Sequence, residues 1–299
     1  MSHLLSVDTM SAELALKLIH RAREFKQDRA YPQYASCEVA NLFYENSTRT
    51  LVSFELAAKR LGMSVINLNI DNSSAAKGEA IEDTVGTLAA MGVTTFVVRH
   101  VEAGLPQRLA EKIDGVSIIN AGDGMHAHPT QALLDFMTII ETKPDLANLK
   151  IAIVGDLRHS RVANSLQCLC KKLGVGGLSL ISPEVWQPQS CHFGHYTQSL
   201  AEGLAEADVV ISLRIQRERL LTDETLDVAS YCRDYAITSK HLKWARADAM
   251  VMHPGPINRG IEIDEVVADG AQSYILQQVM NGVFMRMAVL EYAKTLNTP

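Results

Sequence analysis

The sequence predicts an α/β fold of two domains, each a parallel sheet flanked by helices. Its 299 residues exceed the usual size of one hydrophobic core. Short β-branched or apolar runs alternate with longer amphipathic segments, a pattern that pauses near Lys143-Pro144-Asp145 and resumes at Ile151. We therefore place one domain at residues 1–136 and a second at 145–276, with residues 277–299 forming a C-terminal helix that returns to the first.

The first domain shows three strand–helix pairs and a further helix. The pairs are Val39–Tyr44 with Leu51–Leu61, Val65–Leu68 with Ala80–Met91, and Thr95–Val98 with Leu105–Ile113. Ile118-Ile119-Asn120 leads through a loop to a predicted helix at Thr130–Glu141. Pro144 then ends this helical stretch, because a residue before proline avoids the helical conformation.

The second domain begins with a predicted strand at Ile151–Gly155. A helix near Val162–Lys172, strands near Leu178–Ile181, Val209–Leu213 and Ala249–Met252, and a last helix at Gln277–Leu296 follow. The stretch Trp186–His195 is polar and irregular and predicts a loop.

Bulk composition excludes several classes of protein. The chain is 47% hydrophobic and 21% charged, which is typical of a folded globular protein. Its net charge of −6 argues against a nucleic-acid partner, which requires a basic face. The five cysteines show no CxxC spacing, so neither a zinc site nor a disulfide framework is indicated, and the odd count fits a reducing cytosol. Without a long apolar run or a signal peptide, we expect a cytoplasmic protein with no membrane partner.

A candidate anion site lies where the first strand meets its helix, in Phe43-Tyr44-Glu45-Asn46-Ser47-Thr48-Arg49-Thr50. Small hydroxyl residues there leave the first-turn N–H groups available, and those groups together with the helix dipole attract an anion. Arg49 adds a planar fork of donors for phosphate oxygens. An ordinary N-cap followed by a surface arginine is the alternative. No Walker-type GxxxxGK[ST] string occurs, which leaves a nucleotide site unsupported.

Two further segments carry candidate ligand groups. Arg99 lies at a predicted strand end, where open α/β sheets carry ligand contacts, although a surface ion pair also fits it. The segment Asn120–Gln131 ends in His128-Pro129-Thr130-Gln131, at the start of a predicted helix. His126 and His128 lack an acidic or cysteine partner at suitable spacing, so we reject a metal site.

The string Phe-x-Glu-x-Ser-Thr-Arg-Thr-x-x-Ser-Phe-Glu at residues 43–55, together with His-Pro-Thr-Gln, resembles signatures of the aspartate/ornithine carbamoyltransferase family. The resemblance spans roughly Phe43 to Arg286. It implies that Ser47, Thr48, Arg49 and Thr50 hold the phosphate of carbamoyl phosphate, that Thr50, Arg99 and His128 surround the carbonyl oxygen, and that Gln131 contacts the carbamoyl amino group. No cofactor is implied.

This chemistry suits those residue types. An amine attacks the carbonyl carbon, and the tetrahedral oxyanion that forms collapses with loss of phosphate. Donors aimed at that oxyanion usually supply the largest catalytic effect. The departing phosphate can accept the amine proton, so we name no protein base.

The polar segment Asn72–Glu79 reads by itself as a flexible loop with a solvated lysine. Family members that act on aspartate carry a similar loop, which reaches into the site of a neighbouring subunit. By this resemblance Ser73 and Lys77 complete the phosphate pocket of an adjacent chain, and the active unit is a homotrimer with shared sites.

The acceptor is indicated by Arg-x-Gln-x-Glu-Arg at residues 214–219. Arginines beside a glutamine suit a dianionic substrate, although a solvated helix start also fits such a charge run. Members that act on aspartate have a similar string, which implies that Arg214 and Gln216 hold the side-chain end of L-aspartate. Arg161 corresponds to the residue that grips its α-carboxylate. The expected product is N-carbamoyl-L-aspartate, a step of pyrimidine biosynthesis.

Two more features follow from the resemblance. The segment His253-Pro254-Gly255-Pro256 lacks the cysteine that ornithine-specific members carry there, and its backbone carbonyls are expected to accept from the carbamoyl amine. This assigns substrate contacts to Pro254, Gly255 and Pro256. A domain-closure latch is also expected, in which Glu45 contacts Arg161 and Arg219.

Alternatives remain at this point. A dinucleotide-binding protein is disfavoured, because Ile151–Gly155 opens no GxGxxG string. A carbamoyltransferase for another amine and a catalytically silent assembly subunit are the other two. The sequence does not decide whether regulatory or dihydroorotase-like chains associate.

Overall fold

The computed structural model describes residues 2–28, 30–68, 78–188, 191–216 and 227–295. The chain divides into two compact units. Unit 1 comprises Met1–Met137 with Val279–Pro299, and unit 2 comprises Thr138–Gln278. Within the described ranges, no helix combines the length and apolar character needed to cross a membrane.

Unit 1 is built on a four-stranded sheet in the order β2-β1-β3-β4, with every pairing parallel. Its elements in chain order are α1 (Ala12–Gln27), β1 (Glu38–Phe43), α2 (Thr48–Arg60), β2 (Ser64–Leu68), α3 (Ile81–Ala90), β3 (Thr95–His100), α4 (Leu105–Lys112), β4 (Ser117–Asp123) and the first part of α5 (Pro129–Thr142). Helical crossovers are required here because parallel strands cannot be joined by tight turns.

Burial explains which runs became central strands. All seven residues of β4 are buried, and β3 is buried from Thr95 to Arg99, as expected of parallel strands covered on both faces. The strand β2 lies at the edge and is largely accessible. Apolar side chains from β1, β3 and β4 pack with Leu105 and Leu109 of α4 to form one core.

The C-terminal helix, α10 (Ile275–Thr295), packs on unit 1, which confirms the predicted return. Ser117 Oγ of β4 donates to the Ala293 carbonyl at 3.0 Å. Glu291 accepts from Arg21 Nε of α1 at 2.6 Å and from the Tyr34 hydroxyl at 2.6 Å. The last and first helices of unit 1 are thus tied through one carboxylate.

Unit 2 contains a five-stranded parallel sheet in the order β7-β6-β5-β8-β9. Its elements are β5 (Lys150–Val154), α6 (Arg161–Lys172), β6 (Gly177–Ile181), β7 (His195–Thr197), α7 (Leu200–Leu204), β8 (Val209–Ser212), α8 (Val228–Tyr235), β9 (Met250–Met252) and α9 (Glu265–Ala268). The predicted fold class, two parallel sheets flanked by helices, is confirmed.

Some local predictions were incomplete. The helix α1 and the short elements β7, α7, α8 and α9 were not predicted from the sequence. The predicted loop Trp186–His195 is wrong at both ends, because Trp186 is buried against Ile215 and Tyr231 and His195 begins β7. Burial of one indole outweighed the polar composition around it.

Candidate active site

The predicted phosphate loop lies at the carboxyl end of β1. Ser47 is the N-cap residue of α2, and its side chain makes no capping hydrogen bond. The first-turn N–H groups of a helix have no partner within the helix, so this end of α2 carries the donors and positive dipole that an anion needs. Thr50 is buried in that first turn, and its carbonyl accepts from Ser53 Oγ at 2.9 Å.

Arg99 lies directly beside this loop. It is opposite Phe43 in the parallel pairing of β3 with β1, and it is 9% exposed. Its Nη1 donates to the Ala121 carbonyl at 3.3 Å, and its Nη2 lies 3.2 Å from Glu45 Oε2. A buried guanidinium, with an acidic partner from the phosphate loop, therefore stands at the carboxyl edge of the sheet.

His128 and Gln131 enter the same edge through α5. The His128 carbonyl accepts from the Gln131 and Ala132 N–H groups at 3.1 and 3.3 Å, so His128 begins the helix. Both side chains are buried. Gln131 Nε2 donates to Asp135 Oδ1 at 2.8 Å, one turn further along α5. Unit 1 thus brings together the predicted residues Ser47–Thr50, Arg99, His128 and Gln131 on neighbouring strand and helix ends.

Asp123 organises the segment that leads into His128. Its two oxygens accept from the Asn120 amide at 2.8 Å, the Ala127 N–H at 3.1 Å and the Gly104 N–H at 2.8 Å. His126 Nδ1 lies 3.0 Å from Asp123 Oδ2. Burial opposes ionisation of Asp123, but the hydrogen bonds from His126 and Gly104 outweigh it and lower its pKa. The same hydrogen bond raises the pKa of His126, against the effect of its own burial.

In unit 2, two loops follow the adjacent strands β5 and β8. Arg161 is buried at the start of α6, whose N-cap Ser160 accepts from the Ala163 N–H at 3.2 Å. Gln216 Nε2, from the loop after β8, donates to the His159 carbonyl at 3.1 Å. His159 Nδ1 and its N–H lie 2.8 and 3.1 Å from Asp156 Oδ1. A buried acid–histidine pair therefore holds the backbone that positions Gln216.

The segment after β9 is held by a second pair of this kind. His253 Nδ1 accepts from the Gly255 N–H at 2.8 Å, so Nε2 carries the proton that bonds to Glu262 Oε1 at 3.2 Å. Glu262 also accepts from the Asn258 N–H. Both ends of the Pro254-Gly255-Pro256 turn are thus tied to one buried carboxylate.

Comparison with known proteins identifies the family. A family model for the carbamoyl-P binding domain of aspartate/ornithine carbamoyltransferase matches residues 2–141, and one for the Asp/Orn binding domain matches residues 147–293. The chain belongs to the aspartate/ornithine carbamoyltransferase family.

Three relatives within this family illustrate the similarity. A Legionella pneumophila (strain Corby) protein named aspartate carbamoyltransferase catalytic subunit is 60% identical over 97% of this chain and 98% of its own. The structure of Trypanosoma cruzi aspartate transcarbamoylase with carbamoyl aspartate and phosphate gives a TM-score of 0.88 at 30% identity, covering 97% and 95% of the two chains. Ornithine carbamoyltransferase from Pyrococcus furiosus gives 0.85 at 27%, covering 96% and 95%.

Three predicted residues of this carbamoyltransferase, Ser73, Lys77 and Arg219, lie outside the described residues. The latch from Glu45 to Arg161 and Arg219 stays a prediction, and the contact seen for Glu45 within unit 1 is the one with Arg99. Among the described residues, no group of three His, Cys, Asp or Glu side chains is arranged to hold a metal ion.

Sequence reasoning missed the buried acidic residues that support the family's site. These are Asp123, Asp135, Asp156 and Glu262. Burial raises the pKa of Tyr231, and the charges of Glu262 and Asp156 raise it further, which indicates that these acids approach one side chain from two loops. A signal existed for Asp135, because residues at i and i+4 share one face of a helix and Gln131 precedes it by four. The other three depend on loop conformations that no spacing rule predicts.

Proposed function

We propose that the protein transfers the carbamoyl group of carbamoyl phosphate to the amine of L-aspartate, giving N-carbamoyl-L-aspartate and phosphate. One observation carries this proposal: the uncapped start of α2 lies beside the buried guanidinium of Arg99. A helix N-terminus and an arginine converging on one sheet edge suit a phosphorylated anion.

Each unit 1 residue has a role in this reaction. Ser47, Thr48, Arg49 and Thr50 hold the phosphate. Thr50, Arg99 and His128 donate to the carbonyl oxygen, where negative charge develops as the amine attacks, and the Gln131 amide contacts the carbamoyl amino group. The phosphate takes the amine proton as it leaves. The buried positions of Thr50, Arg99, His128 and Gln131 support these roles, because donors shielded from water act more strongly.

The choice of aspartate rests on unit 2. Arg161 grips the α-carboxylate, and Arg214 with Gln216 holds the side-chain carboxylate. The hydrogen bond from Gln216 to His159 supports this, because it keeps the loops after β5 and β8 together. Pro254, Gly255 and Pro256 contribute backbone carbonyls to the carbamoyl amine. The relatives that are 60% identical and named aspartate carbamoyltransferase catalytic subunit favour aspartate over ornithine.

The substrate experiment supplies carbamoyl phosphate with L-aspartate or with L-ornithine and follows the ureido product and released phosphate. We expect product from aspartate. Product from ornithine alone would overturn the acceptor, and product from another amine would favour the alternative carbamoyltransferase. Absence of product from a folded assembly would favour the silent subunit.

We also propose a cytoplasmic homotrimer with shared sites, in which Ser73 and Lys77 of one chain complete the phosphate pocket of the next. The hybrid experiment mixes Lys77→Ala chains with Arg49→Ala chains after dissociation. If sites are shared, about a quarter of the sites in a random trimer regain both residues, so activity returns partially. Hybrids as inactive as their parents would exclude sharing. Regulatory or dihydroorotase-like chains would be sought by co-purification.

A further inference from the structure

A group of buried polar side chains lies behind the amide of Gln131. Asp135, fully buried on α5, accepts the hydrogen bond from Gln131 Nε2. Arg286 of α10 is 4% exposed, and its guanidinium lies 5.2 Å from the centre of the Phe54 ring on α2. Three helices of unit 1 therefore enclose these side chains away from water.

The place of the Arg286 guanidinium is built into the packing. A Cβ at Gly282 would lie 2.6 Å from Arg286 Nη1 and 3.4 Å from Leu134 Cδ2, so the absence of a side chain there makes room for the charge. Burial lowers the pKa of Arg286 to about 10, and the charge of Asp135 opposes that shift. Arg286 stays positive at neutral pH, and its charge in turn stabilises a carboxylate at Asp135.

An ionised carboxylate only accepts hydrogen bonds. Gln131 must therefore turn its NH₂ group toward Asp135, and the amide oxygen occupies the other arm. The carbamoyl amino group carries only N–H donors, because its lone pair is delocalised into the carbonyl, so it needs an acceptor. An amide turned the opposite way would present donors to donors.

We propose that Asp135, supported by Arg286, is a positioning residue that fixes the Gln131 amide with its oxygen toward the carbamoyl amino group, and so selects carbamoyl phosphate over acyl phosphates that lack this N–H. The inference rests on the proposed function, because it takes Gln131 as the contact of the carbamoyl amine. Acetyl phosphate is the natural probe, since it replaces the NH₂ group with a methyl group and keeps the phosphate.

The test compares the dissociation constants of carbamoyl phosphate and acetyl phosphate for the wild-type protein and Asp135→Asn. The positive charge of Arg286 favours the amide oxygen of the new asparagine on its side, which leaves NH₂ facing Gln131. The Gln131 amide then turns over and loses its acceptor. We expect preference for carbamoyl phosphate to fall about tenfold, as for one lost hydrogen bond, while acetyl phosphate affinity changes less than about twofold.

Two controls separate positioning from a general structural effect. Thr138→Val removes another buried polar group of α5, and we expect it to leave the preference unchanged. In a Gln131→Met background, Asp135→Asn is expected to have no further effect on the preference, since its target is gone. An unchanged preference in folded Asp135→Asn, or equal weakening of both ligands, overturns the proposal.

If circular dichroism shows that Asp135→Asn is unfolded, Arg286→Met carries the test. It removes the charge that stabilises the carboxylate, and we expect the preference to fall in the same direction, whereas an unchanged preference overturns the proposal. These are binding measurements, so they are independent of turnover. A wild-type protein that binds carbamoyl phosphate but does not carbamoylate aspartate would sink the proposed function and leave this inference to its own result.

Discussion

The two units build their parts of the candidate site by different means. In unit 1 the functional groups stand on regular elements: the start of α2, the end of β3 and the first turn of α5. In unit 2 they stand on loops, and two buried acid–histidine pairs, Asp156–His159 and His253–Glu262, hold those loops. The difference teaches that an anion can be bound by a helix end that the fold supplies, whereas side-chain recognition of an acceptor needs backbone that is fixed one loop at a time.

The largest expected effect is in unit 1. Arg99→Gln removes a buried donor to the oxyanion, and we expect kcat for carbamoyl aspartate formation to fall about 100- to 1000-fold. The matched control is Arg108→Gln, which removes a partly exposed arginine paired with Glu82 and Glu102 in the same unit. A kcat for Arg99→Gln as high as that of the control would exclude the role of Arg99.

A change in unit 2 is expected to act on the acceptor alone. Asp156→Asn removes the carboxylate that holds His159, and Gln216 then loses a fixed carbonyl partner. We expect the aspartate half-saturation to rise about tenfold, as for one charge-assisted hydrogen bond, with carbamoyl phosphate affinity unchanged. Initial-rate kinetics with each substrate varied measures both. Asp264→Asn, which keeps a capping residue at the start of α9, is the control. Equal loss for both substrates would break the division between the units.

Glu45 tests whether a unit 1 residue also serves the acceptor. If Glu45 closes the domains by contacting Arg161 and Arg219, Glu45→Gln raises the aspartate half-saturation several-fold and lowers kcat, by roughly the value of one or two ion pairs. Steady-state kinetics against the control Glu102→Gln, an exposed partner of Arg108, measures it. An aspartate half-saturation and kcat equal to those of the wild type would show that the latch idea is wrong.

The smallest effect concerns stability in unit 1. The pKa of His126 is raised by Asp123, so its stabilisation is complete below its unfolded pKa of about 6.5 and is lost as pH rises through the folded pKa. Because His126 is half exposed, we expect the loss between about pH 6 and about pH 8 to be less than about 1 kcal/mol. Urea unfolding of His126→Gln should lack this pH dependence. Identical slopes for the two proteins would contradict the assignment.

Much of the fold could be predicted because its strongest signals are local. The run Thr95–Val98 is β-branched and apolar, and it became a buried central strand. Short elements such as β7 could not be predicted, because three residues carry too little pattern and depend on pairing with β6. Trp186 was assigned to a loop for the same reason, since its burial is decided by Ile215 and Tyr231, which are distant in the chain.

The sequence by itself determined the parallel two-sheet architecture, the family resemblance and the candidate residues Ser47–Thr50, Arg99, His128 and Gln131, because strand ends, helix starts and motifs are written in consecutive residues. Only the tertiary structure decided which groups support them. The carboxylates of Glu45 and Asp135 find Arg99 and Gln131 through hydrogen bonds and charge pairs, and Arg286 arrives from a helix about 150 residues further along the chain. Such partners are chosen by burial, where an uncompensated charge is costly, and burial is a property of the folded chain.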